Sequence, residues 1–284
     1  MISVISPIYN EADNLIELYK RVVAALESVQ EKFEFILVEN GSSDSSLGII
    51  KDLRAKDPRV KFVSLSRNFG HQGGILAGMA YASGDAVVSI DGDLQQPPEL
   101  IPKMIELWKK GYDVVFTTKK LENKDRNWQF LWNRIFYKLI GLISDLNLTY
   151  GQSDYRLLDR KVADVILNIP EKHKFLRGMV EWVGFSQIGV EYDVSPRKSG
   201  QSKFSFRNYV NFAFDGIFSF STVPLKMFLW FGLIIAFFCV LYAGFYSVMG
   251  LMNLFTTNKN MLPPGWATIT VSILLLGGIQ LIGI

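Results

Sequence analysis

Apolar and polar positions alternate in two different ways along this chain, and the change falls near Lys120. Before it, short apolar runs of strand length are separated by stretches with helical spacing. Ile2-Ser3-Val4-Ile5-Ser6 reads as a first strand, broken by Pro7. Leu15, Leu18, Val22, Val23 and Leu26 then recur at the spacing of one helix face. Glu34–Val38, Val60–Leu65, Ala86–Ile90 and Asp113–Thr117 read as further strands. Helices are expected between them, including a small-residue helix that ends near Ser83 and another from about Pro98 to Lys110.

This alternation predicts parallel βαβ units and a twisted α/β sheet. Ligands of such sheets sit beyond the carboxyl ends of the strands. Here those ends carry Pro7, Tyr9, Asn10 and Glu11, then Glu39, Asn40, Gly41 and Ser42, then Arg67 and Asn68, then Asp91 and Asp93. Each cluster alone is ordinary turn chemistry. Their succession on one edge argues for a binding site.

The most informative stretch is AVVSIDGDLQQPPE, Ala86 to Glu99. A buried strand ends in Asp91-Gly92-Asp93, and Pro97-Pro98-Glu99 suits the first turn of a helix. Two carboxylates with a glycine between them can point into one crevice, and hard oxygen donors of this kind suit Mg²⁺ or Mn²⁺ beside a diphosphate. The alternative is a strand-to-helix turn that favours Asp and Gly. No G-x-G-x-x-G follows the first strand and no G-x-x-x-x-G-K-[ST] occurs, which disfavours dinucleotide dehydrogenases and P-loop NTPases. The glycines from Gly70 to Gly78 read as a surface for close helix–sheet packing.

Beyond Lys120, Asn127 to Ile143 is aromatic and apolar at helical spacing, with Arg134 and Lys138 among its few charges. Gly151 to Arg160 is dense in charge and precedes a helix. The arginines of the segments that follow, Arg177 and Arg197 among them, read by default as solvated surface charges. Phe204 to Thr222 reads as helix lying at a membrane interface. No side chain is charged from Met227 to Phe255, nor from Asn260 to the end. Both runs reach the ~20 apolar residues that a bilayer-spanning helix needs. The start of the chain lacks the pattern of a cleavable signal peptide.

Composition changes this picture only slightly. The net charge of +3 is too small to argue for nucleic acid. Arg197, Lys198, Lys203, Arg207 and Lys226 form a basic collar before the first apolar run, suited to anionic headgroups or a phosphate. The single cysteine, Cys239, excludes an intramolecular disulfide and a cysteine metal site.

With these pieces in place the chain resembles the family-2 glycosyltransferases of the GT-A fold. Within them it is similar to the polyprenyl-phosphate glycosyltransferases, such as bactoprenol glucosyltransferases and dolichyl-phosphate mannose synthases. The resemblance rests on SPIYNE (Ser6 to Glu11), the acidic/Gly/Ser cluster at Glu39 to Ser42, SRNFG (Ser66 to Gly70), GDAVVSIDGDLQQPPE (Gly84 to Glu99), DYRLLDRKV (Asp154 to Val162), FLRGMVEWVGF (Phe175 to Phe185), RKSGQSKFS (Arg197 to Ser205) and FDGIFSFSTVPL (Phe214 to Leu225). Three departures stand out. Glu39-Asn40 replaces the usual pair of Asp, Thr118-Lys119 stands where an arginine is common, and the chain stops at Ile284 where the family continues into a basic tail, which reads as truncation.

The resemblance implies an inverting transfer of a hexose from a nucleotide-diphosphate sugar, UDP-glucose favoured, to a polyprenyl phosphate. It implies a Mg²⁺ or Mn²⁺ ion on Asp93, with Asp91 nearby and Gln95 as a further candidate. Pro7, Tyr9, Glu11, Glu39, Asn40 and Arg67 would line the nucleotide-sugar pocket, and Asp154 would be the base or an orienting group. Arg134, Arg197, Ser202 and Lys203 are candidates for the acceptor phosphate and diphosphate. The expected plan is a cytoplasmic catalytic domain over 1–203, interfacial helices over 204–226, and membrane spans over 227–255 and 265–284 joined by an outer loop. The bilayer is an expected partner and nucleic acid is not, and a homo-oligomer is left open. Alternatives are a GDP-mannose-dependent synthase, an aminoarabinose-type transferase, a processive polysaccharide synthase and a non-catalytic nucleotide-sugar scaffold.

Overall fold

The structure is a computed structural model, and it describes residues 1–120, 152–171, 175–193, 223–255 and 265–283. The chain divides into two compact units, Met1–Ser219 and Phe220–Ile284.

In the first unit β1 (Ile2–Ile8), β2 (Phe33–Glu39), β3 (Val60–Ser64) and β4 (Ala86–Ser89) are connected by α1 (Ala12–Glu27), α2 (Ser46–Lys56) and α3 (Gly70–Tyr81). A 3₁₀ turn at Pro98–Leu100 leads into α4 (Ile101–Lys109), and β5 (Val114–Lys119) follows. Next come β6 (Gln152–Asp159), α5 (Arg160–Asn168), α6 (Leu176–Trp182) and β7 (Gln187–Tyr192). The strands form one seven-stranded sheet in the order β3-β2-β1-β4-β6-β5-β7. Ile2, Val4, Phe35, Val88, Tyr155 and Leu157 are fully buried in its core.

Two expectations are corrected. The sheet is mixed, because β6 enters antiparallel between β4 and β5. Asp154, Arg156 and Asp159 interrupt its apolar pattern, which is why the sequence marks the segment only as charge-dense. In the fold both Asp154 and Arg156 are buried, Asp154 paired with Arg177 and more distantly with Arg156, while Tyr155, Leu157 and Leu158 pack as in any central strand. Pro7, in turn, does not break β1, which pairs with β2 as far as Ile8. The Ile5 carbonyl accepts from the Ile90 N–H on the β4 side. Pro7, two residues on, turns its missing N–H to that same side, beyond the end of the β1–β4 ladder at Ile5 and Ser89.

The small residues of α3 let it lie close on the sheet. A Cβ on Gly78 would stand 3.0 Å from Ile5 Cβ and 3.1 Å from Val38 Cγ2.

The second unit holds α7 (Val223–Phe255) and α8 (Trp266–Gly283). They pack together where Gly278 leaves room, its missing Cβ being 3.3 Å from the Ala236 nitrogen. Leu225–Tyr246 of α7, with a mean hydropathy of 2.3, is long and apolar enough to cross a membrane. α8 is apolar as well, over the shorter described stretch Ile269–Gln280. Phe228, Trp230, Phe237 and Phe238 point outward, exposed.

Candidate active site

The carboxyl ends of β1, β2 and β4 and the start of β6 meet on one edge. β4 releases Asp91-Gly92-Asp93, and Leu94 follows in the left-handed region at φ 60°. The Asp93 carboxylate accepts from the Gln95 N–H at 3.1 Å, which closes the turn. Gln96, buried under Asp91, binds it twice. The Asp91 N–H donates to Gln96 Oε1 at 2.8 Å, and Gln96 Nε2 donates to Asp91 Oδ2 at 2.6 Å. The same Nε2 lies 2.9 Å from Ser153 Oγ, so Gln96 ties the β4 turn to β6.

On β6 the register pairs Ser89 with Arg156, and Asp154 comes two residues closer to the Asp91 turn. Ser89 Oγ donates to the Asp154 carbonyl at 2.5 Å, and Thr117 Oγ1 donates to the Tyr155 carbonyl at 2.9 Å. Side-chain hydroxyls from both flanking strands therefore fix the backbone that carries Asp154.

The Asp154 carboxylate sits between two arginines. Arg177, from α6, donates through Nε to Oδ1 and through Nη2 to Oδ2, each at 2.8 Å. Arg156 Nη2 lies 3.4 Å from Oδ1. His71, at the start of α3, bridges the two carboxylates, its Nε2 lying 3.2 Å from Asp91 Oδ1 and 3.7 Å from Asp154 Oδ2.

These surroundings set opposite electrostatics for the two acids. Burial alone would raise the Asp154 carboxyl, but the Arg177 guanidinium, and then Arg156, hold it well below the usual carboxylate range. Asp91 goes up. Loss of water raises it first, and the negative charges of Asp154 and Asp93 add to that against the pull of His71 and Arg177. About a third of its side chain, 32%, still faces the crevice, so a cation can reach it. Burial pushes Arg156 down to about 10, which leaves it charged at neutral pH.

The remaining strand ends build the walls. Asn40 Nδ2 donates to the Gly70 carbonyl at 2.9 Å, and Asn40 Oδ1 accepts from the Phe69 N–H at 2.9 Å. Glu39 accepts from the Ser42 N–H and from Ser64 Oγ. Gly41, at φ +72°, allows this loop to touch the Arg67 backbone, where a Cβ would come within 2.6 Å. Glu11 holds Asn14, Arg67 lies over the Phe69 ring, and Pro7 and Tyr9 are half-buried on the same edge. Glu39 and Asn40 thus spend their polar atoms on loop architecture. Arg134, Arg197, Ser202 and Lys203 lie outside the described residues.

Sequence reasoning passed over Gln96, His71 and Arg177. The signal for Gln96 was the second Gln of Gln95-Gln96, and for Arg177 the FLRG segment.

Among the described residues no three His, Cys, Asp or Glu gather into a metal-binding group. The donors that are present still fit a divalent cation. Mg²⁺ is ordinarily held by one or two carboxylates and completed by substrate phosphates and water, not by an all-protein cage. Burial is the main reason the Asp91 carboxyl is raised, and the negative charges of Asp154 and Asp93, which add to it, are ones that such a cation would offset.

A mixed α/β sheet of this order, with acidic side chains at the ends of its central strands, defines a GT-A-type glycosyltransferase domain. Residues 3–167 match glycosyl transferase family 2, and the chain belongs to that family. It is 39% identical over 283 residues to an uncharacterized glycosyltransferase of Synechocystis sp., which covers 100% of this chain and 87% of the relative. It is 37% identical over 283 residues to the bactoprenol glucosyl transferase of Shigella phage SfV, covering 100% of this chain and 90% of the relative. Among solved structures, glucosyl-3-phosphoglycerate synthase from Mycobacterium tuberculosis is similar with a TM-score of 0.48 and 18% identity, over 71% of this chain and 73% of that one.

Proposed function

We propose that this chain is a membrane-bound inverting glycosyltransferase that moves a hexose, glucose from UDP-glucose in first place, onto a polyprenyl phosphate. The observation that carries the reading is the full-length similarity to a bactoprenol glucosyl transferase, 37% identical over 283 residues. The strand-end site supports it, with Asp91 and Asp93 at the β4 turn and Asp154 between its arginines on the neighbouring β6. So does α7, whose outward-facing Phe228, Trp230, Phe237 and Phe238 suit lipid better than water.

Asp91 and Asp93 would hold Mg²⁺ or Mn²⁺, which supplies neutralisation of the nucleoside diphosphate as it leaves. Gln96 keeps Asp91 oriented, and the Gln95 N–H fixes Asp93. Pro7, Tyr9, Glu11 and Arg67 would line the nucleoside pocket, whose loops Glu39 and Asn40 hold in place. The acceptor phosphate has a second pKa near ~6 and is itself a nucleophile at neutral pH. It therefore needs positive charge and orientation more than a strong base. Asp154, held ionised by Arg177, fits an orienting role. Direct attack on the anomeric carbon expels the nucleoside diphosphate and inverts the centre. α7 and α8 would both cross the bilayer, with the catalytic unit in the cytoplasm where the basic residues concentrate.

The test is transfer by the purified full chain in nanodiscs containing undecaprenyl phosphate, given a panel of radiolabelled nucleotide sugars with Mg²⁺, Mn²⁺ or EDTA. Lipid-linked glucose from UDP-glucose, lost in EDTA, is expected. Lipid-linked mannose from GDP-mannose would replace the donor. No lipid-linked product from any donor would overturn the reading.

A further inference from the structure

Arg156 is an unusual residue for a central strand. It is 3% exposed, and its Nη1 has no hydrogen-bond partner among the described residues. Its other terminal nitrogen reaches the Ser153 carbonyl at 3.1 Å and shares Asp154 Oδ1 at 3.4 Å with the stronger claim of Arg177. Two guanidiniums thus compete for one carboxylate, and the buried one is left incomplete. Glu181, further along α6, acts on Arg156 through space. Leaving a buried cationic donor unsatisfied is costly unless a ligand completes it.

Arg177 is placed to bring such a ligand in. Its side chain is 25% exposed, against 10% for Asp154 and 4% for Arg156, so it is the most accessible of the three. The N–H of its neighbour Leu176 donates to Gln72 Oε1 at 3.4 Å, which holds the start of α6 against the start of α3, beside His71. A planar guanidinium that already makes a two-point contact with a carboxylate presents the geometry that also matches a phosphate.

We propose that Arg177, with Arg156 behind it, receives a phosphate monoester beside Asp154, and that Asp154 holds the Arg177 fork in readiness and yields part of it when the phosphate arrives. Resting on the function proposed above, the ligand is the headgroup of the polyprenyl phosphate. The site adjoins Asp91, since His71 Nε2 reaches both Asp91 and Asp154, so the acceptor phosphate would arrive beside the donor diphosphate. No bond is made or broken in this exchange, only an ion pair traded for another.

The arrangement makes opposite forecasts for the two partners. Binding is measured in nanodiscs without any nucleotide sugar, for undecaprenyl phosphate, for undecaprenol, and for inorganic phosphate as competitor. UDP binding with Mn²⁺ serves as the check on folding. Arg177→Gln should weaken undecaprenyl phosphate binding about tenfold or more, with Arg177→Lys between it and the wild type. Asp154→Asn should leave that binding equal or tighter, because the fork is released to the phosphate. Undecaprenol should bind weakly to all variants, and inorganic phosphate should compete in the wild type but not in Arg177→Gln. Equal losses in Arg177→Gln and Asp154→Asn would mean that the pair is a structural unit, and would overturn the proposal. So would an unchanged affinity in Arg177→Gln, or a wild type that binds undecaprenol as well as its phosphate. Because no transfer is measured, phosphate binding that follows this pattern in a protein without transferase activity would sink the proposed reaction and leave this site standing.

Discussion

Gln96 grips Asp91 from two directions, its Oε1 accepting from the Asp91 N–H and its Nε2 donating to the Asp91 carboxylate. This pairing fixes both the backbone and the side chain of an acid that must aim at a cation. Gln96→Glu would set a second carboxylate against Asp91 and remove the donor. A hydrogen bond to a charged group contributes ~1.5–3 kcal/mol, so kcat should fall about 10- to 100-fold. Metal-dependent UDP affinity should fall with it while the circular dichroism spectrum is kept. Wild-type kinetics in this variant would show that Asp91 needs no such support.

Asp93 carries the strongest metal expectation. Asp93→Asn should abolish transfer and weaken UDP binding in Mn²⁺ without altering UDP binding in EDTA. Calorimetric titration in the two conditions checks this. Indifference of the wild type to EDTA would remove the cation from the site.

The Arg177 fork decides what Asp154 contributes. With its carboxyl held well below the usual range, Asp154 is ionised at every pH from 6 to 8 and is a poor proton acceptor. Asp154→Asn should therefore lose activity by a similar factor at pH 6 and pH 8. A loss concentrated at pH 6, following the acceptor's monoanion, would restore the general-base role.

Glu34 governs acid stability far from the site. It is buried, accepts from Ser3 Oγ and from Ser83, and pairs with Lys61. Burial opposes its ionisation, yet these partners bring its pKa down to about 2. A depressed folded-state value stabilises above the unfolded value of ~4.3 and is lost as pH falls towards 2. Glu34→Gln should lower the free energy of unfolding at pH 7 by roughly 2–3 kcal/mol, and lose most of that difference near pH 2. A gap of the same size at both pH values would contradict the linkage.

The legible part of this chain is where chemistry and periodicity agree. The apolar runs of the first five strands and the acids released from Ile90 can be read directly, because a strand buried on both faces must be apolar and its end need not be. β6 was hidden by its charges: Asp154 and Arg156 break the apolar pattern of a buried strand, and the main partner of Asp154, Arg177, comes from a later helix. His71 sat within a glycine-rich stretch whose packing role was evident, and Arg177 looked like any surface cation. What escapes is the set of polar side chains whose partners lie far off in the chain, since spacing along one segment carries no information about them. Arg177 lies 23 residues from Asp154, and Gln96 lies 57 from Ser153.

The position of β6 also has a consequence for how the protein is made. β4 finds β1 early, but its other edge waits for residues 152–159, and β5 has only later strands as neighbours. During synthesis the ribosome therefore exposes an open strand edge until about the middle of the chain has emerged. Such edges recruit other chains. Chains halted between Lys120 and Gln152 should associate through β4 and be favoured clients of holding chaperones, whereas chains that extend past Asp159 can close the edge themselves.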